Sequence, residues 1–439
     1  MLADFLHSLF GTWRGARVRF VVLRNYESLP TAIGNDLDIL VDDLTAAERV
    51  LLGCAQSSGY RLCHHVAFGA HSYYFTDRAL GRPIRIDLMT RLDWYGFVIL
   101  AANEVFDSSR ERPPFCIPHP AHEAALKLLL RLLYHGYVPE KYRPFILEAF
   151  AADEAAAVQA LTPPFGSRLA RTLVHDVVAQ AWDGIEHRRS RLLAALVVRS
   201  CVRRPRTTLA LWLADTARRL RRALHPTGVT VALLGPDGSG KSTVASALLD
   251  RADLPLYRHH GRCVHWKPQV IPRGRNGTSP VPAPPHEQPP RGLLASSCYF
   301  LGHIAEFVIG AAARIRPALY ANGLVVLDRY YYDFFVDAAR YRLRLPSRVI
   351  DLGCRVIPSA DMVFVLDAPP AILLTRKQEV PAVEVERQRE AFRRLGDRLP
   401  NAAVVDAAQP VEKVVDDIRR GVMEYLSVRA ARQLRQSPR

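Results

Sequence analysis

The chain has 439 residues, 49% of them hydrophobic and 23% charged, with a formal net charge of +16. That balance excludes a disordered or collagen-like chain and leaves room for two or three domains with ample core. Its seven cysteines (Cys54, Cys63, Cys116, Cys201, Cys263, Cys298 and Cys354) include no C-x-x-C pair, so neither a zinc site nor a disulfide framework is expected, and a reducing, cytoplasmic setting is the default.

Met1–Phe10 carries Asp4 and no basic stretch, so no secretory leader is expected. No uncharged apolar run reaches the roughly 18 residues of a transmembrane segment; Leu293–Ala313 comes nearest but contains His303 and Glu306, and reads as a buried or amphipathic helix.

In chain order, strands are expected at Val18–Leu23, Leu37–Val41, Tyr60–Val66, His71–Thr76 and Ile84–Leu88, with a helix over Thr45–Ser58. Together they predict a small α+β domain over residues 1–118. Within it, Asp36 and Asp38 are two apart on a strand and share a face. Paired carboxylates repel unless a cation lies between them, so a Mg²⁺ site is expected there, with Asp87 as a third ligand.

Residues 119–226 read as helical, beginning with the amphipathic Ala121–Tyr134. Arg188–Arg222 holds eleven arginines against one acid, Asp215. Such a stretch is either a solvated helical face or a contact for a polyanion or an anionic membrane surface.

Val229–Leu234 is an apolar strand followed by Gly235-Pro236-Asp237-Gly238-Ser239-Gly240-Lys241-Ser242-Thr243 and a helix. Strand, G-x-x-x-x-G-K-S and helix in that order form a phosphate-binding loop. Its glycines let successive N–H groups turn inward around phosphate oxygens, and the helix N-terminus adds partial positive charge. Lys241 is expected on the β/γ phosphates of ATP and Ser242 on Mg²⁺. Residues 258–290, rich in Pro and Gly, read as a long loop, with His265, Trp266 and Lys267 candidates for an acceptor pocket. Strands at Gly323–Asp328, Met362–Asp367 and Ala403–Asp406 alternate with helices, which predicts a doubly wound parallel α/β domain over residues 227–426 and a basic tail over 427–439. Asp328, at a strand end beside the loop, is expected to assist Mg²⁺, with Arg329 an anion clamp in the cleft.

Two resemblances follow from these motifs. D-x-D with a later strand aspartate resembles the nucleotidyltransferase fold, which implies metal-holding carboxylates at Asp36, Asp38 and Asp87. It departs where that family has Gly-Ser, since Arg24-Asn25-Tyr26 stands there. The motifs GPDGSGKST at 235–243, DRY at 328–330 and LDAPPAILLTRK at 366–377 resemble thymidylate kinase over about residues 227–426. That likeness implies that Asp237, Arg329 and Tyr330 face the acceptor, that Asp328 assists Mg²⁺, and that Arg376 and Lys377 form a basic lid. The family's Arg-Glu-Pro-Gly segment is missing, with His265-Trp266-Lys267-Pro268 in its place, so the acceptor is left open between a nucleotide and a phosphorylated sugar. The expected function is an ATP-dependent phosphotransferase, open to homodimer formation. The alternatives are a nucleotide-gated binding protein and a kinase fused to an active nucleotidyltransferase acting on a glycan-related substrate.

Overall fold

A computed structural model describes residues 1–77, 81–250, 253–256, 264–266, 289–328, 330–337, 341–376 and 381–436, with only the backbone of 264–266. The chain divides into two units, residues 1–220 with 427–439, and residues 221–426.

The first unit holds a five-stranded sheet of β1 (Phe20–Val22), β2 (Leu37–Val41), β3 (Arg61–Phe68), β4 (Ala70–Thr76) and β5 (Ile84–Met89), in the order β1-β2-β5-β4-β3. Only β2 and β5 pair in parallel. Helices Leu2–Gly15 and Leu44–Ser57 pack with this sheet. Phe5, Leu6, Leu9, Phe10 and Trp13 recur on one helical stripe and are buried, and the Trp13 indole donates to the Ala47 carbonyl at 3.1 Å. Asp43 caps the second helix by accepting from the Ala46 amide. Two short hairpins follow, β6 (Leu92–Trp94) with β7 (Phe97–Leu100) and β8 (Arg110–Arg112) with β9 (Phe115–Ile117).

The helical stretch after residue 119 is expected to cover one side of the first domain and to link it to the second. It packs within this unit: Leu128, Leu129, Leu132, Phe150, Leu161, Leu173 and Leu196 share one buried cluster with Val21, Leu23 and Leu40 of the sheet region. The basic tail is also ordered as helix to Gln436, with Leu434 against the core of the first unit. An apolar stripe through basic residues gives that helix something to bury.

The second unit is a parallel sheet of β10 (Val229–Leu234), β11 (Val264–Trp266), β12 (Leu324–Asp328), β13 (Met362–Asp367) and β14 (Ala402–Asp406), in the order β11-β12-β10-β13-β14. Residues of β10, β12 and most of β13 are buried on both faces, as parallel strands require. Neighbouring β13 residues look opposite ways: a Cβ at Gly421 would meet Phe364, and one at Gly396 would meet Val365. Helices Val411–Gln436 and Ala382–Arg398 therefore cover opposite faces. The chain leaves β10 toward one edge and returns across it to β13 and β14, which makes β10 the topological switch point where such sheets bind ligands.

One helical run among the described residues, Leu293–Tyr320, is long and apolar enough to cross a membrane by length and composition. Its inward stripe of Phe300, Phe307, Ala311 and Ile315 packs into the core of the second unit.

Candidate functional site

The loop after β10 is shaped by its glycines. Gly235, Gly238 and Gly240 have φ of 145°, 85° and 87°, a region that costs other residues strain. A Cβ on Gly235 would lie 2.6 Å from the Leu366 carbonyl oxygen, and one on Gly238 would lie 2.7 Å from that of Leu373. The loop is thus clamped between the end of β13 and helix Pro370–Arg376.

Helix Lys241–Leu249 begins directly after Gly240. The Lys241 ammonium donates to the carbonyls of Gly235 at 2.7 Å and Pro236 at 2.8 Å, inside the loop's curve. Ser242 donates its hydroxyl to Asp328 Oδ2 at 2.8 Å. Asp328 ends β12, which pairs with β10 so that Leu233 and Asp328 are register partners. The sheet register therefore delivers the carboxylate to the loop. Hard oxygens from Ser242 and Asp328, adjacent at a helix N-terminus, suit Mg²⁺.

The other candidates are placed unevenly. Arg376 is exposed and donates to the Ala407 carbonyl at 2.9 Å, beyond the end of β14. Tyr330, expected at the acceptor, is instead 1% exposed and donates its hydroxyl to the Pro358 carbonyl at 2.6 Å. Its ring packs on Phe307 within the core of the second unit. Arg329, Lys267 and Lys377 lie outside the described residues, and only the backbone of His265 and Trp266, in the edge strand β11, is described.

Sequence reasoning passed over His303 as a mere interruption of an apolar helix. It is 6% exposed, and neither ring nitrogen has a hydrogen-bond partner among the described residues. Tyr299, Phe307, Phe334 and Tyr341 surround its ring. Burial, followed by the Arg291 charge, pushes its pKa down to about 4. The dense aromatics after Asp328 were the available signal.

In the first unit, Asp36, Asp38 and Asp87 do converge, with carboxylate oxygens within 4.8 Å of one another. Asp38 and Asp87 are register partners across the parallel β2–β5 pair. Two guanidinium groups already serve them. Arg24 donates through Nε to Asp38 and through Nη2 to Asp36, and Arg85 donates to both oxygens of Asp87 at 2.8 and 2.6 Å. Asn25 also donates to Asp36 at 3.0 Å. Burial raises the pKa of Asp38 to about 6 against the pull of Arg24, and burial also raises that of Asp87. Arg24 and Asn25 are the residues that stand where the resemblance wanted Gly-Ser.

Much of the arginine-rich stretch is structural. Arg188 pairs with Asp176, Arg189 donates to the Leu132 and Leu133 carbonyls, and Arg218 and Arg219 both pair with Asp215. Arg191, Arg203, Arg204, Arg206 and Arg221 are exposed.

No protein-family model matches the chain. Among curated proteins, a thymidylate kinase of Symbiobacterium thermophilum is 31% identical over 217 residues, spanning 45% of this chain and 94% of that protein. A probable thymidylate kinase of Archaeoglobus fulgidus is 24% identical over 210 residues, spanning 45% and 97%. Among solved structures, thymidylate kinase of Ehrlichia chaffeensis aligns at 16% identity and a TM-score of 0.31, covering 44% of this chain and 97% of that one. Thymidylate kinase of Candida albicans aligns at 17% identity and a TM-score of 0.34, covering 46% and 93%.

Proposed function

The chain belongs to the thymidylate kinase family over about 45% of its length and is a kinase, and we propose that it transfers the γ-phosphoryl group of ATP to a nucleoside monophosphate or a phosphorylated sugar. The observation that carries this reading is the Lys241 ammonium held in the curve of a glycine loop, beside the Ser242–Asp328 pair. Phosphoryl transfer asks little covalent work of a protein. It asks for alignment and for positive charge on the migrating group.

In this reading the loop amides and the N-terminus of helix Lys241–Leu249 bind the donor phosphates. Lys241 exchanges its two carbonyl partners for β/γ oxygens, so its charge is prepaid in position. Ser242 and Asp328 hold Mg²⁺, which neutralises phosphate charge when bound. Arg329, next in sequence to Asp328, contacts the acceptor phosphate. Arg376 and Lys377 close over the transferring group, which requires Arg376 to leave the Ala407 carbonyl. Asp237 faces the acceptor.

The test is ADP release from ATP with thymidylate, other nucleoside monophosphates and phosphorylated sugars. One acceptor class should stimulate release, and Lys241→Ala should lower it by on the order of 10³-fold or more. Folded protein that shows no calorimetric uptake of ATP with magnesium refutes the proposal.

A further inference from the structure

The first unit contains a cavity of about 470 Å³ that the kinase reading does not use. Its size suits a small molecule, since such sites run from roughly 300 to 1,000 Å³. One wall comes from helix Pro120–His135, where Lys127, Arg131 and Tyr134 recur at helical spacing on a single face. Leu23, Met89 and Leu92 supply apolar surface, and Arg24 and Asp38 reach it from the carboxylate cluster.

The charges lining it are not equally occupied. Lys127 pairs with Glu123 at 2.7 Å, and Arg24 is shared between Asp36 and Asp38. Among the described residues, Arg131 donates only to the Tyr142 hydroxyl, at 3.1 Å, and lies over that ring. Arg91 forms no ion pair among the described residues. Glu27 and Asp93 also line the cavity, but neither pairs with Arg91 or Arg131 among the described residues, and two such guanidinium groups beside aromatic and aliphatic surface fit a phosphate joined to a ring.

The carboxylate cluster does not suit a metal as it stands. A divalent cation there would face Arg24, whose Nε and Nη2 already bond Asp38 and Asp36, and Arg85, bidentate on Asp87. Binding the cation would require expelling a partly buried guanidinium from its carboxylates. We propose that this cavity binds a phosphate monoester carrying a nucleoside or sugar ring, without a metal, Arg91 and Arg131 taking the phosphate while Arg24 stands in the metal's place.

Calorimetry on the full chain in EDTA tests this, with dTMP, UMP, ribose 5-phosphate and glucose 1-phosphate as probes at millimolar concentration. At least one probe should bind, and whether the nucleotides or the sugar phosphates bind tighter identifies the source. Arg91→Ala combined with Arg131→Ala should weaken that binding about tenfold or more, with the thermal melt and magnesium-dependent ATP turnover unchanged. Should that variant unfold, Arg91→Gln alone is expected to weaken binding in the same direction. In parallel, Mn²⁺ titration without nucleotide, followed by electron paramagnetic resonance, should show no tight site in the wild-type chain and a new one in Arg24→Gln. The proposal is overturned if no probe binds in EDTA, if binding ignores both arginine variants, or if wild-type protein holds Mn²⁺ tightly and loses it in Asp38→Asn.

Discussion

Ser242 donates its hydroxyl to Asp328 Oδ2 at 2.8 Å, although the two residues are 86 positions apart in sequence. One begins a helix and the other ends a strand, and the parallel β10–β12 register is what joins them. If the pair acts as one unit, removing either member removes the same interaction. Ser242→Ala and Asp328→Asn should each lower turnover by about 10²- to 10³-fold, and the double variant should lose little more. Steady-state kinetics on all three proteins checks this; fully additive losses mean that the two groups work separately.

The loop has no room for a side chain at Gly235. Its φ is 145°, and a Cβ would meet the Leu366 oxygen at 2.6 Å and Ser239 Oγ at 2.8 Å. Gly235→Ala should therefore reduce ATP affinity and destabilise the second unit by about 1–3 kcal/mol. Isothermal calorimetry and denaturant unfolding measure the two effects.

Asp361 ties the base of the same sheet. It accepts from the Thr230 amide and hydroxyl, both at 2.7 Å, and from the Tyr425 hydroxyl at 2.9 Å. Asp361→Ala strands these donors, and Thr230 is buried. We expect a loss of about 2–4 kcal/mol of stability, read by urea unfolding, with ATP binding retained in the folded fraction.

His303 should make stability fall in acid. Its folded pKa, about 4, is depressed below the ordinary 6.5, so the unfolded chain binds the proton first. The stabilising contribution is complete above pH 6.5 and is lost as pH falls through 4. The loss approaches about 3 kcal/mol. His303→Leu removes the titrating group and should flatten the acid side of the stability–pH curve between pH 7 and pH 4.5, measured by chemical denaturation at each pH.

The sequence alone determined the parts that depend on local chemistry. Strand, glycine loop and helix around Lys241 are contiguous, and their spacing needs only backbone geometry to be read. The parallel sheet was legible because β10, β12 and β13 are nearly continuous apolar runs, as strands covered on both faces must be. The D-x-D pattern likewise pointed to Asp36 and Asp38 as neighbours, although β2 begins at Leu37 and Asp36 stands just before it.

Tertiary structure decided what depends on long-range register and burial. It turned Tyr330 into the core, since its hydroxyl finds the Pro358 carbonyl only after folding. It made the helices after residue 119 part of the first unit's core, because their apolar stripes lie against Leu23 and Leu40. It also set Arg24 and Arg85 on the three carboxylates, a neutralisation that no spacing rule foretells. Local spacing fixes which groups share an element; only the packed chain fixes which charges meet, because each buried charge takes the partner that folding brings within reach.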